Sequence, residues 1–243
     1  FLTVGTDVRS PNEAAQRVRQ EWGMAPGPVP NLIEHLEDHS IVVVPMQNRA
    51  DAFMGLSVYE PARTIPPVMF FNSDAPADRV RWTIAHELGH LVLHHHQRAL
   101  PEQCEEEADA FASEFLMPER DIRHHLNARL GLNDLAQLKL HWRVSMQALL
   151  VRAGALGRLT KSQSTRLWKQ LSFFGYRSHE PNAFPLEPHT LLPELIRVHV
   201  EDLGFTLDDL CALLWLEPEE VRALYRPDEP PAVGQPPRLR LVE

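Results

Sequence analysis

The sequence predicts an α+β fold, with a small antiparallel sheet near its start and an almost wholly helical remainder. Three observations carry that reading. Runs rich in β-branched and aromatic residues occur at 41–45, 52–59 and 68–72, each too short for a helix and set apart by turn-rich chain. From Asp78 onward the apolar period switches to that of a helix and stays there. With 44% apolar and 23% charged residues, the composition is that of a chain that folds on a core.

The elements follow in order. Ser10-Pro11-Asn12-Glu13 joins an N-cap serine, a proline at the first helical position and a glutamate able to reach back, so a helix starts here and runs to Trp22, with Gly23 ending it. A short helix at 32–37 leads into the first strand, Ile41-Val42-Val43-Val44-Pro45. The other two strands are separated by the turn-rich 60–67. Trp82, Ala85, Leu88, Gly89, Leu91 and Val92 build one face of a long helix, and a second helix follows Pro101. Further helices are predicted at 121–129, 134–142, 145–153 and 161–173. The stretch 180–193, with four prolines and no apolar period, reads as a linker or extended arm. Helices at 194–203 and 207–225, the latter with a turn at 216–218, precede a Pro-rich tail.

At 243 residues the chain can hold one good core and a smaller appended module. The divisions read are 1–130 for a catalytic domain, 131–180 for a helix-turn-helix-like segment, and 181–243 for the linker, C-terminal helices and tail. The first residue is Phe, so a trimmed piece of a longer chain, with an upstream domain removed, is an expectation. No apolar run approaches the roughly 18 residues of a membrane span, and the start lacks a signal-peptide pattern, so the expectation is a protein with no membrane association. Cys104 and Cys211 stand far apart without a pairing pattern, as in a reducing compartment, and the expected location is the cytoplasm. The net charge of −9 argues against binding nucleic acid over the whole surface. Between 118 and 180, however, eleven Lys/Arg face four acids, which reads either as solvated helix faces or as a surface for DNA or an acidic partner.

The chemistry concentrates in His86-Glu87-Leu88-Gly89-His90. On a helix, imidazoles at i and i+4 lie one above the other and can reach one cation with little entropy left to lose. Glu87 lies about 100° around the same helix, so it flanks the metal rather than ligating it. From there it can take a proton from the attacking water and pass it to the leaving amine. A catalytic zinc needs a third protein ligand. Glu105-Glu106-Glu107-Ala108-Asp109 on the next helix supplies candidates: Glu105 as ligand, with Asp109 on the same face to receive the N–H of a liganding imidazole. Glu106 is the alternative ligand, and Glu107 is expected to point away. Ala108 and Ala112 would let the two helices pack closely. His94, His95 and His96 extend the histidine run and read as a solvated helix end. Zinc is the expected ion, with manganese and iron as alternatives.

The run from Asp78 through Pro118, "WTIAHELGHLVLHH" followed by "EEEADAFASEFLMP", resembles the ImmA/IrrE family of intracellular metallopeptidases, and "PVMFFN" upstream and "VSMQALLVRAGALG" downstream extend the likeness over about 11–181. The resemblance implies a zincin-like core, often joined to helix-turn-helix modules, that cleaves a helix-turn-helix repressor and relieves repression in stress response or mobile-element control. It implies His86 and His90 as zinc ligands, Glu87 as general base and Glu105 as third ligand. In such a core the strand Val68–Asn72 would offer an open edge above the metal, to which a substrate loop could add as a further strand.

Two helix pairs in the second half have helix-turn-helix spacing: Leu135, Leu138 and Leu140 before Val144-Ser145 and Ala148-Leu149, and 206–225 with Leu210, Leu213, Leu216, Pro218 and Val221. The alternative to a protease is therefore a DNA-binding transcriptional regulator, with the zincin-like domain as a sensing or scaffolding module. DNA contact would then come from the basic 118–180 segment or from a missing upstream domain.

Overall fold

The computed structural model describes residues 10–46, 54–60, 65–94, 101–214 and 216–225. The first helix, α1 (Pro11–Glu21), begins where the N-cap motif lies: the Ser10 side chain accepts from Glu13 N, Pro11 takes the first turn, and Gly23 leaves it at φ +60°. Its Ala14, Ala15 and Val18 form a fully buried stripe. A short helix, α2 (Leu32–Asp38), leads into strand β1 (Val42–Met46).

Strands β2 (Gly55–Val58) and β3 (Val68–Asn72) complete a three-stranded sheet of order β1-β3-β2. The sheet is mixed rather than antiparallel throughout. β2 pairs antiparallel with β3, with Leu56 opposite Phe70, while β1 runs parallel to β3 from Val42↔Val68 to Met46↔Asn72. This also corrects the expected edge: Val68–Asn72 is the central strand, and among the described residues β2 is the edge beyond it. Burial gives the reason. Met69 and Phe71 on β3 are sealed, whereas on β2 Leu56 and Val58 stay about half exposed and only the alternate residues face the helices. Strand content can be read from local pattern, but strand order is set by which strand has a second face to cover.

Helix α3 (Ala77–Leu93) crosses the sheet and packs along α4 (Pro101–Leu116). Gly89 makes this contact possible: a Cβ there would stand 3.1 Å from Ala108 Cα, 3.2 Å from Ala108 O and 3.2 Å from Phe111 Cβ. A mid-helix glycine costs about 0.5–1 kcal/mol against alanine, so the close seam has been kept at some expense in helix stability.

The helix expected at 121–129 is largely replaced by turns after α5 (Glu119–Ile122). Ile122, Leu126 and Leu130 are all buried, so the apolar period is real, but Asn127 Oδ1 accepts from Arg129 N and holds the backbone in a turn that competes with the helix. Helices α6 (Leu132–Trp142) and α7 (Met146–Ala155) are joined through Arg143, which adopts φ +54°, and Ser145 caps α7. Next comes α8 (Lys161–Phe173), opened by a Thr160/Gln163 capping box. The last three helices, α9 (Leu191–Glu201), α10 (Leu207–Leu214) and α11 (Pro218–Tyr225), close on a small cluster of their own around Ile196, Leu210 and Val221. α9 starts earlier than expected because Pro193 falls in its first turn, where a missing N–H costs nothing.

The Pro-rich 180–190 stretch is extended as expected, yet it is pinned rather than free. Glu180 pairs with buried Lys139 at 2.9 Å and accepts from Met146 N and Gln147 N at the start of α7. Lys139 also pairs with Asp78 of α3. Glu187 accepts from Leu32 N and Ile33 N at the start of α2, and it pairs with the buried Arg81 guanidinium of α3. Two carboxylates therefore tie this stretch to two helix N-termini and to the helix that bears the histidines. Replacing Glu187 by glutamine strands the Arg81 charge in the interior and is expected to cost about 3–5 kcal/mol, read by denaturant unfolding of metal-free protein; an unchanged midpoint would show that the tie carries no stability.

Candidate active site

His86, Glu87 and His90 lie on α3, where one turn of helix stacks the two imidazoles. Their Nε2 atoms face each other at 3.0 Å. Glu105, in the second turn of α4, brings Oε2 to 3.2 Å from His86 Nε2 and Oε1 to 3.4 Å from His90 Nε2. The three residues form a group of donors in mutual reach. Asp109, one turn further along α4, stands 2.9 Å from His86 Nδ1 and also takes a hydrogen bond from Trp82. Glu106 lies exposed and takes no part in the trio.

These residues fit a divalent ion. With the Nδ1 proton of His86 donated to Asp109, Nε2 is left as a lone pair, aimed at a second imidazole nitrogen and a carboxylate. Acceptors facing one another in this way favour a cation between them. Bonds of about 2.0–2.1 Å in a tetrahedral shell give donor–donor edges of about 3.3 Å, and the edges here are 3.0, 3.2 and 3.4 Å.

The electrostatics differ between the two imidazoles. Burial works to lower the His86 pKa, but the hydrogen bond and charge of Asp109, with Glu105 and Glu87 adding to them, raise it above its ordinary value. His90 is lowered, by burial first and then by the neighbouring His86. Asp109 is held below the usual carboxylate range, chiefly by the His86 hydrogen bond.

Glu87 lies outside the trio. Its Oε2 accepts from Ser57 Oγ at 2.6 Å, a contact that sequence reasoning missed because Ser57 lies on β2, whose place beside α3 depends on strand order. Gly55 on the same strand is equally constrained: a Cβ there would collide with Thr83 Cγ2 and come to 3.4 Å from Glu87 Cγ. Edge strand and active-site helix are therefore in contact at the carboxylate itself.

Two further expectations are corrected. Glu107 does not point away, because its Oε2 lies 3.0 Å from His94 Nε2. Hydrogen bonds from Gln103 first, then from His94, keep its carboxyl below the usual range. His94 is no solvated helix end; its side chain is 8% exposed and its Nδ1 is 3.0 Å from His90 Nδ1. His95 and His96 lie outside the described residues.

A helix bearing two imidazoles, faced by an acid from the next helix and flanked by a further carboxylate, is the arrangement of metal-dependent hydrolases. Residues 36–153 match the family model of the IrrE N-terminal-like domain, peptidase family M78. That segment is an IrrE N-terminal-like domain, which supports the likeness to the ImmA/IrrE family. No curated protein matches the sequence. Among solved structures a Mycobacterium tuberculosis transcriptional regulator is similar, at 20% identity and a TM-score of 0.42 over 60% of this chain. The chain spans 47% of that protein's length.

Proposed function

We propose that the chain is a zinc-dependent endopeptidase that cuts a helix-turn-helix repressor at a defined site in the cytoplasm. The observation that carries this reading is the convergence of His86 Nε2, His90 Nε2 and the Glu105 carboxylate, with Glu87 beside them but outside the trio. His86, His90 and Glu105 hold the ion, which supplies Lewis acidity toward water and the scissile carbonyl when bound. Glu87 takes the proton of the attacking water and delivers it to the leaving nitrogen. Asp109, itself held by Trp82, fixes the ring of His86 from behind. Ser57 holds the Glu87 carboxylate on the side of the edge strand.

The edge above this site is β2, and an extended substrate segment adds to it. Backbone bonds then supply affinity, and Leu56 and Val58, half exposed, lie along that strand. Aspartate at Leu56, whose side chain is half exposed on that strand, is expected to weaken cleavage through substrate affinity while the fold and zinc content persist, since the change falls on the surface. Unchanged steady-state constants would discard the edge-binding idea.

The rival reading, a DNA-binding regulator, loses part of its basic surface to the interior. Of the eleven cations at 118–180, Lys139 and Arg152 are buried in pairs with Asp78, Glu180 and Glu114, and Arg143 and Arg158 bond to backbone carbonyls. The α7 helix, second of its pair, buries Met146, Leu149, Leu150 and Ala153. Among the described residues no helix is long and apolar enough to cross a membrane. The test is metal analysis of the purified chain together with incubation against candidate helix-turn-helix repressors, with and without chelator. A single nick that chelator abolishes is the expected result, and intact repressors under every condition would defeat the proposal.

A further inference from the structure

Beyond the trio and its flanking groups, a row of side chains leads away from the back of His90. Gln103 Nε2 donates to Glu107 Oε1 at 2.8 Å. Glu107 Oε2 stands 3.0 Å from His94 Nε2, and His94 Nδ1 stands 3.0 Å from His90 Nδ1. The row ends on the ring nitrogen opposite the one that faces His86 and Glu105. His94 sits one helical turn after His90 on α3, and Glu107 lies on α4, so both helices that build the site also build the row.

The donor and acceptor roles are fixed from its carboxylate end. An ionised Glu107 only accepts, so the His94 Nε2 carries the proton; His94 Nδ1 is then an acceptor, and His90 Nδ1 donates to it. That leaves His90 with a bare Nε2 pointing at His86 and Glu105, the tautomer a ligating imidazole needs. Asp109 does the same for His86 by direct contact. We infer that His94 and Glu107 are positioning residues for His90, a carboxylate acting through an intervening imidazole, where His86 has a carboxylate of its own. The inference rests on the metallopeptidase reading of the trio. Two features separate this row from chance packing of polar side chains. His94 is almost fully enclosed, and each of its nitrogens has one partner of the right kind. Glu107 is itself steadied by Gln103, so the row does not end on a freely rotating acid.

The test measures zinc affinity by competition with a chromophoric chelator, the visible spectrum of the cobalt-substituted protein, and thermal unfolding of the metal-free form. His94→Leu removes the acceptor and is expected to weaken zinc binding about 10–100-fold, the usual cost of losing an outer partner, and to shift the cobalt bands. His94→Asn puts an amide oxygen where Nδ1 was and is expected to recover much of the affinity. Glu107→Gln weakens binding less, and His94→Leu/Glu107→Gln is no weaker than His94→Leu alone, since the two act in series. Wild-type affinity in His94→Leu overturns the inference. So does equal loss in His94→Leu and His94→Asn in step with a lower unfolding temperature, which is the mark of plain packing. If the wild-type chain takes up no zinc, this inference and the peptidase reading fall together. If the expected pattern of zinc affinities appears but no repressor is cut, the peptidase reading fails and the positioning roles stand.

Discussion

Glu87→Gln is expected to lower repressor cleavage about 10²–10⁴-fold, the range over which general-base catalysis contributes, while zinc content stays at the wild-type level. Glutamine keeps the shape of the side chain, and its amide oxygen can still accept from Ser57 Oγ, which now stands 2.6 Å from Glu87 Oε2. What it loses is the ability to take a proton. Because Glu87 is not one of the three converging donors, metal binding has no reason to change. Single-turnover cleavage alongside metal analysis gives both readouts. A glutamine variant that cuts at the normal rate would remove Glu87 from the chemistry, and one that preserves the transcriptional output in cells would favour a scaffolding role for the domain.

The second large effect is expected at Glu105. Alanine there leaves two imidazoles to hold the ion, so zinc affinity should drop by more than the roughly 10–100-fold that an outer partner is worth, and cleavage should vanish at ordinary zinc concentrations. Glu106→Ala, one residue along and exposed, should bind zinc as the wild type does. The two variants, titrated against the same chelator, separate neighbouring acids that sequence spacing alone leaves as alternatives. The reverse pattern would transfer the third-ligand role to Glu106.

The reach of the sequence differed from residue to residue for physical reasons. His86, Glu87 and His90 are fixed relative to each other by a single helical turn, so their arrangement can be read without knowing anything else about the fold. Glu105 and Asp109 share a face for the same reason, and the apolar faces of the two helices indicate that they pack together. Ser57 could not be found that way: its contact with Glu87 exists only because β2 lies outside β3, an order that local pattern does not encode. Glu107 and His94 were misread because the crossing of α4 over α3, and not the spacing within either helix, turns them toward each other. Glu180 and Glu187 lie in a Pro-rich stretch whose local pattern points to no partner for either. Their partners, Lys139, Arg81 and the first turns of α2 and α7, arrive from as far as 155 residues away.

The bare Cα of Gly89 has one more consequence. With only hydrogen between it and the Ala108 main chain, the span separating the imidazoles from the opposing acid is gauged by two backbones instead of by pliable side chains. A gauge of that kind leaves the outward surfaces of both helices free to drift during evolution, while a single added methyl at the seam would move the acid relative to the rings.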